Sequence, residues 1–150
     1  MSWTTIETSA VKSRLATAEL NALRSLQLAD GQADPLEEVI QRVVQEVRGY
    51  VATCPQNRLS TGQTVPSSLK DAALALIRYR LATRLPVRSL LTEERKEEGR
   101  DALTLLRRVA DCKFVIDQPD DPEDSNVGGT AAQNLNPQKQ NFSRDSLNGL

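Results

Sequence analysis

Five carboxylates crowd one short stretch of the chain, Glu93, Glu94, Glu97, Glu98 and Asp101. Such a cluster could hold a divalent metal or supply a general acid–base pair. Helical spacing would place Glu93, Glu97 and Asp101 on one face and Glu94 with Glu98 beside it. However, Arg95, Lys96 and Arg100 are interleaved, and Glu93–Lys96 and Glu97–Arg100 are i,i+3 pairs. The stretch therefore reads as a solvated or interface helix face rather than a metal site. The sequence contains no histidine, which removes the Ser-His-Asp and Cys-His nucleophile systems and every His-ligated metal site. Serines and lysines are plentiful, yet nothing pairs a nucleophile with a base. The one Gly-Gly pair, Gly128–Gly129, lacks the context of a phosphate-cradling loop. The expectation is a protein that is not an enzyme and has no cofactor and no metal.

Two cysteines, Cys54 and Cys112, are far apart in sequence and form no CxxC. A zinc site would need close ligand pairs, and a disulfide-stapled secreted scaffold would be denser in cysteine. The expectation is two reduced, partly buried thiols. Arg78, Arg80, Arg84 and Arg88 could contact nucleic-acid phosphates. Against this stand a net charge of -1, few aromatic residues and no DNA-reading motif. On a helix, positions 78 and 80 also point about 200° apart, so they do not form one patch. Salt bridges within or between subunits are the simpler use of these arginines.

The elements that would position these groups are helical. In residues 1–30, short helical pieces are expected: Thr8 or Ser9 caps a first turn, and Leu20, Leu23 and Leu26 recur in a second. Residues 35–53 give a full helix. Asp34 suits the cap, Pro35 the first position, and Val39, Ile40, Val43, Val44 and Val47 the apolar stripe. Residues 54–66 read as a loop. A third helix runs from near Pro66 towards Pro86. Leu69, Ala72, Ala73, Leu74, Leu76, Ile77 and Leu81 cover most of its circumference, so it should lie at the centre. Thr92 caps a fourth helix with Ala102, Leu103, Leu106, Val109 and Ala110 on its apolar face. No apolar run approaches the length of a membrane span, and no secretory leader is visible.

The boundary falls at residues 116 and 117, giving a helical domain over 1–116 and an extended tail over 117–150. The 150-residue chain is mixed in charge, but residues 114–150 hold 2 basic and 6 acidic groups. That stretch is rich in Asn, Gln, Asp and Ser and buries too little to offset its own ordering entropy. It should be disordered in the free protein and ordered on assembly. Its far end, NFSRDSLNGL, nevertheless carries Phe142, Arg144, Leu147 and Leu150. Spaced anchors on a flexible segment suggest a binding motif that folds on a partner. The fold class read from all this is all-α, a small bundle of about four main helices with a long extended C-terminal tail.

In this order, the stretches AELNALRSL, VQEVRGYV, VPSSLKDAALALIRYRL and GRDALTLLRRVADCK, and the terminal FSRDSLNGL, resemble the Mu-type phage head–tail connector, or neck adaptor, proteins. The loop CPQNRLSTGQTVP and the run ERKEEGR depart from that pattern. The resemblance implies a structural virion protein that assembles with itself into a closed ring, usually of about twelve copies, beneath the portal. The ring would extend the DNA channel and join the DNA-filled head to the tail. The implied partners are the portal protein, the next neck or tail-completion protein, and genomic DNA passing through without sequence-specific binding; no membrane is involved. The place implied is the virion neck, after assembly in the host cytoplasm. Subunit or portal contacts would fall to Arg78, Arg80 and Arg84 and to the tail anchors Phe142, Arg144, Leu147 and Leu150. The alternative is a small helical bacterial regulator or adaptor that binds a protein or DNA partner.

Overall fold

The computed structural model describes residues 3–25, 34–85 and 88–120, with Arg88 in backbone only. These are mostly helical. In chain order they form β1 (Trp3–Thr5), α1 (Thr8–Lys12), α2 (Thr17–Ser25), α3 (Pro35–Thr53), β2 (Thr64–Pro66), α4 (Lys70–Arg84) and α5 (Glu93–Ala110), with single 3-10 turns before α4 and α5.

Local chemistry sets the starts of α3 and α5. The Asp34 carboxylate accepts the Leu36 N–H at 3.0 Å, and Pro35 occupies the first turn of α3. Glu37 and Glu38 follow in that turn, where the helix dipole favours negative charge. At α5 the Thr92 hydroxyl accepts the Arg95 N–H at 3.3 Å. The short α1 differs from expectation: Glu7 is its cap residue, and no side-chain cap bond is made.

Packing sustains these helices once started. α3 buries Leu36, Val39, Ile40, Val43, Val44, Val47 and Val51 along one side, and that burial offsets the low helix propensity of its valines. α4 buries Ala72, Ala73, Leu74, Leu76, Ile77, Leu81 and Ala82, and it packs against both α3 and α5. It is the central helix, as its all-round apolar sequence implies. α5 contributes Ala102, Leu106 and Val109, together with a buried glycine, Gly99. A Cβ on Gly99 would lie 2.7 Å from the Cγ of Tyr79, so glycine lets α4 and α5 approach through the Tyr79 ring.

α1 and α2 supply the short helical pieces expected near the N-terminus, but a strand before them and its partner correct the plain loop over 54–66. β1 pairs antiparallel with β2, Trp3 opposite Pro66 and Thr5 opposite Thr64. Trp3 is buried, and the Arg48 guanidinium sits 5.7 Å from its ring centroid. Arg48 also donates to the carbonyls of Thr64 at 2.7 Å and Ser60 at 2.6 Å. One α3 side chain thereby holds both the strand and the loop before it. Burial holds the Arg48 pKa below the usual guanidinium range.

The cysteines are the second correction. Cys54 and Cys112 are joined in a disulfide, with their Cα atoms 5.4 Å apart. Separation in sequence is no measure of separation in space: the C-terminal ends of α3 and α5 meet, and each carries one cysteine just past its last turn. Closing a loop of 58 positions stabilises the fold by about 4 kcal/mol in the chain-entropy account. Cys112 has φ 61, the left-handed conformation that ordinarily follows a helix on glycine. The Cys112 N–H bonds to Val109 O at 3.1 Å and the Lys113 N–H to Arg108 O at 2.8 Å, which completes the glycine-type stop with a cysteine in the glycine's place.

Beyond that stop, residues 113–120 run as a strap over the molecule. Ile116 is buried, Trp3 Nε1 donates to Asp117 O at 2.8 Å, and Arg58 Nη2 donates to Pro119 O at 2.8 Å. The compact helical unit extends through Asp120, so the strap lies on it past residue 116. The rest of the expected tail, 121–150, lies outside the described residues.

Candidate interaction site

Two groups of charges flank α4, and they differ in depth. On the α3 side, Arg80 Nη2 reaches Glu46 Oε2 at 2.7 Å and Arg84 Nη2 reaches Glu38 Oε2 at 2.9 Å. Arg42, one turn after Glu38 on α3, meets Glu38 Oε1 at 2.8 Å. Glu38 thus sits between two guanidiniums. The Arg84 hydrogen bond first, then the Arg84 charge, hold its carboxyl below the usual range; burial opposes them, and the Arg42 charge adds the least.

These side chains border a shallow groove of about 410 Å³ lined by Val39, Arg42, Tyr79, Arg80, Thr83 and Arg84. Three guanidiniums face two carboxylates here, which leaves one positive charge in excess. The planar forks of arginine suit a carboxylate or phosphate that could take over from Glu38 or Glu46. The Thr83 hydroxyl donates to Arg80 O at 2.7 Å and is thereby occupied. The groove can bind an acidic group, and its chemistry goes no further.

On the α5 side the charges centre on a buried carboxylate. Glu19 of α2 is 3% exposed; its Oε1 accepts Arg95 Nη2 at 2.6 Å and the Ala16 N–H at 3.2 Å. The second bond closes the start of α2, as the glutamate of a capping box does. Arg95 Nη1 extends to Glu98 Oε2 at 3.3 Å, and Arg78 Nη1 lies 3.5 Å from the same oxygen. A chain of four charges thereby connects α2, α5 and α4.

Arg78, Arg80 and Arg84 of α4 therefore do not form one cluster. Arg78 turns to α5, whereas Arg80 and Arg84 turn to α3, as the angular separation of 78 and 80 requires. Phe142, Arg144, Leu147 and Leu150 lie outside the described residues, as does the side chain of Arg88. In the acidic cluster, Lys96 Nζ meets Glu93 Oε1 at 2.8 Å, and this bond is the main reason the Glu93 carboxyl is held below its ordinary range. Glu97 and Arg100 do not pair. Among the described residues, no group of three or more His, Cys, Asp or Glu is placed to hold a metal. None of their helices is long and apolar enough to cross a membrane.

Sequence reasoning missed Glu19, Gly99 and Tyr79. Glu19 had a signal in its third helical position, where a carboxylate can reach back to the helix start. A lone glycine inside a helical pattern, as at Gly99, points to close packing. Compared with known proteins, the chain matches over residues 6–134 the family described as Bacteriophage Mu, Gp36. No curated protein and no solved structure matches it.

Proposed function

Because this chain belongs to the bacteriophage Mu Gp36 family, we propose that it is a structural protein of the virion neck, a head–tail connector whose copies close into a ring beneath the portal. The observation that carries the reading is the family match, which spans the helical unit from α1 through the strap. The ordered stretches quoted from the sequence add the connector role by resemblance.

The physical chemistry is consistent with such a part. A ring built from one chain uses two different faces of each subunit, and closure multiplies modest contacts. The exposed pairs at Arg80 and Arg84 are suited to that use. An incoming carboxylate can replace Glu46 or Glu38 at little cost, since exposed ion pairs contribute little where they stand. Arg78, held towards the chain of charges, is the least available of the three and would act through the placing of α4. Phe142, Arg144, Leu147 and Leu150 would dock on the portal or a neighbouring subunit. The protein would work in the neck of the virion after assembly in the host cytoplasm. DNA would pass through the ring without being read by sequence, and no catalysis is assigned.

The test is a reconstruction of the neck from purified particles, together with particles made without this protein. The expected result is a closed ring of helical subunits below the portal, and DNA-filled heads that lack tails when the protein is missing. Absence of the protein from washed particles by mass spectrometry would overturn the reading. Tight binding to one DNA duplex over random DNA would replace it with a regulator.

A further inference from the structure

The Cys54–Cys112 bond joins two positions with different surroundings. Cys54 follows the last turn of α3 and is 2% exposed, whereas Cys112 is exposed. Each cysteine also begins one side of a contact. Residues 57–58 follow Cys54, and the strap follows Cys112. The Arg58 N–H donates to Gln118 Oε1 at 3.2 Å, Gln118 Nε2 to Asn57 Oδ1 at 3.4 Å, and Arg58 Nη2 to Pro119 O at 2.8 Å. The Asn57 N–H in turn bonds to Cys54 O at 3.0 Å. The disulfide therefore ties together, at their roots, the two segments that hold each other.

We infer that this bond is a redox-operated clasp on the strap, with Cys112 as its site of modification by small thiols. The attacking thiolate must approach Cys112, because Cys54 is enclosed. Its sulfur bonds to the Cys112 sulfur, the protein S–S bond breaks, and the electron pair leaves on Cys54, which then takes up a proton. A second thiolate attacks the outer sulfur of the mixed disulfide, forming the small-molecule disulfide and releasing Cys112, which is protonated to the thiol. Two small thiols are oxidised and the two protein cysteines are reduced. A small-molecule disulfide such as glutathione disulfide drives the same steps backwards to close the clasp.

The asymmetry sets the behaviour. Opening by attack at Cys112 expels a thiolate into a buried seat, which stabilises negative charge poorly, so the mixed disulfide tends to collapse back. The clasp is slow to open and self-closing. Once it is open, strap and loop no longer share a covalent root, and their local concentration for each other falls. Cys112 also loses the tie at its left-handed turn, which only glycine adopts without strain. The strap then opens more often while the helical core, held by α3, α4 and α5, stays folded.

The full-length protein would be equilibrated in glutathione buffers of graded redox potential, quenched, alkylated and mapped by mass spectrometry. Hydrogen exchange would be measured in parallel at both extremes. The inference expects no free thiol in the oxidising buffer and, trapped by rapid acid quench at intermediate poise, a minor glutathione adduct confined to Cys112. It also expects exchange at residues 113–120 and 55–60 at least tenfold faster on reduction, with far-UV circular dichroism unchanged. The variant carrying both C54S and C112S should show the fast exchange in every buffer. Free thiols in the oxidising buffer, an adduct on Cys54, unchanged exchange on reduction, or loss of helicity on reduction would each overturn it.

Discussion

Arginine–glutamate pairs flank α4 on two sides, half-exposed towards α3 and centred on a buried α2 glutamate towards α5. Towards α3, the side chains of Arg80 and Arg84 are 39% and 41% exposed. Towards α5, Arg95 and Glu19 are 14% and 4% exposed. Water solvates the first set, so exchanging one carboxylate for another changes little. Glu19 and Arg95 have given up most of their hydration, and removing Arg95 would leave the buried Glu19 carboxylate without its ion-pair partner. Similar residue types thus serve as a replaceable surface in one place and as a fixed joint between α2 and α5 in the other.

The largest effect should come from the joint. Glu19→Ala leaves Arg95 with only Glu98 and removes the bond that closes α2, so it should cost roughly 3–5 kcal/mol in chemical denaturation. A loss below about 1 kcal/mol would place Glu19 in water and erase the contrast. Next comes the contact between α4 and α5 that Gly99 makes possible. Gly99→Ala drives a methyl group into Tyr79 and should cost about 1–3 kcal/mol. Because Tyr79 also lines the groove, its ring should shift there, which the aromatic NMR signals would register.

On the exposed side, a double-mutant cycle of Arg80→Ala with Glu46→Ala should give a coupling under about 1 kcal/mol. A coupling several times larger would show that this side, too, is a joint. The smallest effect is that of pH. The Glu38 carboxyl is depressed in the folded protein by Arg84 and Arg42, so its stabilisation is complete above the ordinary carboxylate range of about 4.3. It fades as pH falls through the depressed value. Glu38→Gln should lower the neutral value slightly, flatten the acid limb by the same amount, and leave stability below the depressed value unchanged.

The long helices were legible because their signals are local. Asp34 with Pro35, Thr92, and the 3–4 spacing of the valines in α3 act within one or two turns. The apolar circumference of α4 sufficed to place it at the centre. Even the divergence of Arg78 from Arg80 followed from helical geometry. The parts that were not legible depend on chain segments meeting at a distance. β1 has three residues, and its partner lies some sixty positions on; only the tertiary fold makes Trp3 a strand residue. The disulfide forms because two helices end side by side, which the spacing of Cys54 and Cys112 does not encode. In the candidate site, the arginines were visible as charges. Which carboxylate each one takes depends on how α4 rotates between α3 and α5.

The bond from the Trp3 indole to Asp117 O spans 114 positions, nearly the full length of the helical unit, and this orders events in time. Contacts of high sequence separation carry the greatest loop-closure cost and form late. α4 and α5 can pair as soon as both exist, being neighbours in sequence. Trp3 is made well before Asp117, and its indole has no Asp117 carbonyl to bond until the strap has been synthesised. β1 therefore gains this bond only after its pairing partner β2 has long been made. A nascent chain halted before residue 117 would hold α3 and α4 ready while its N-terminal strand still lacked this bond.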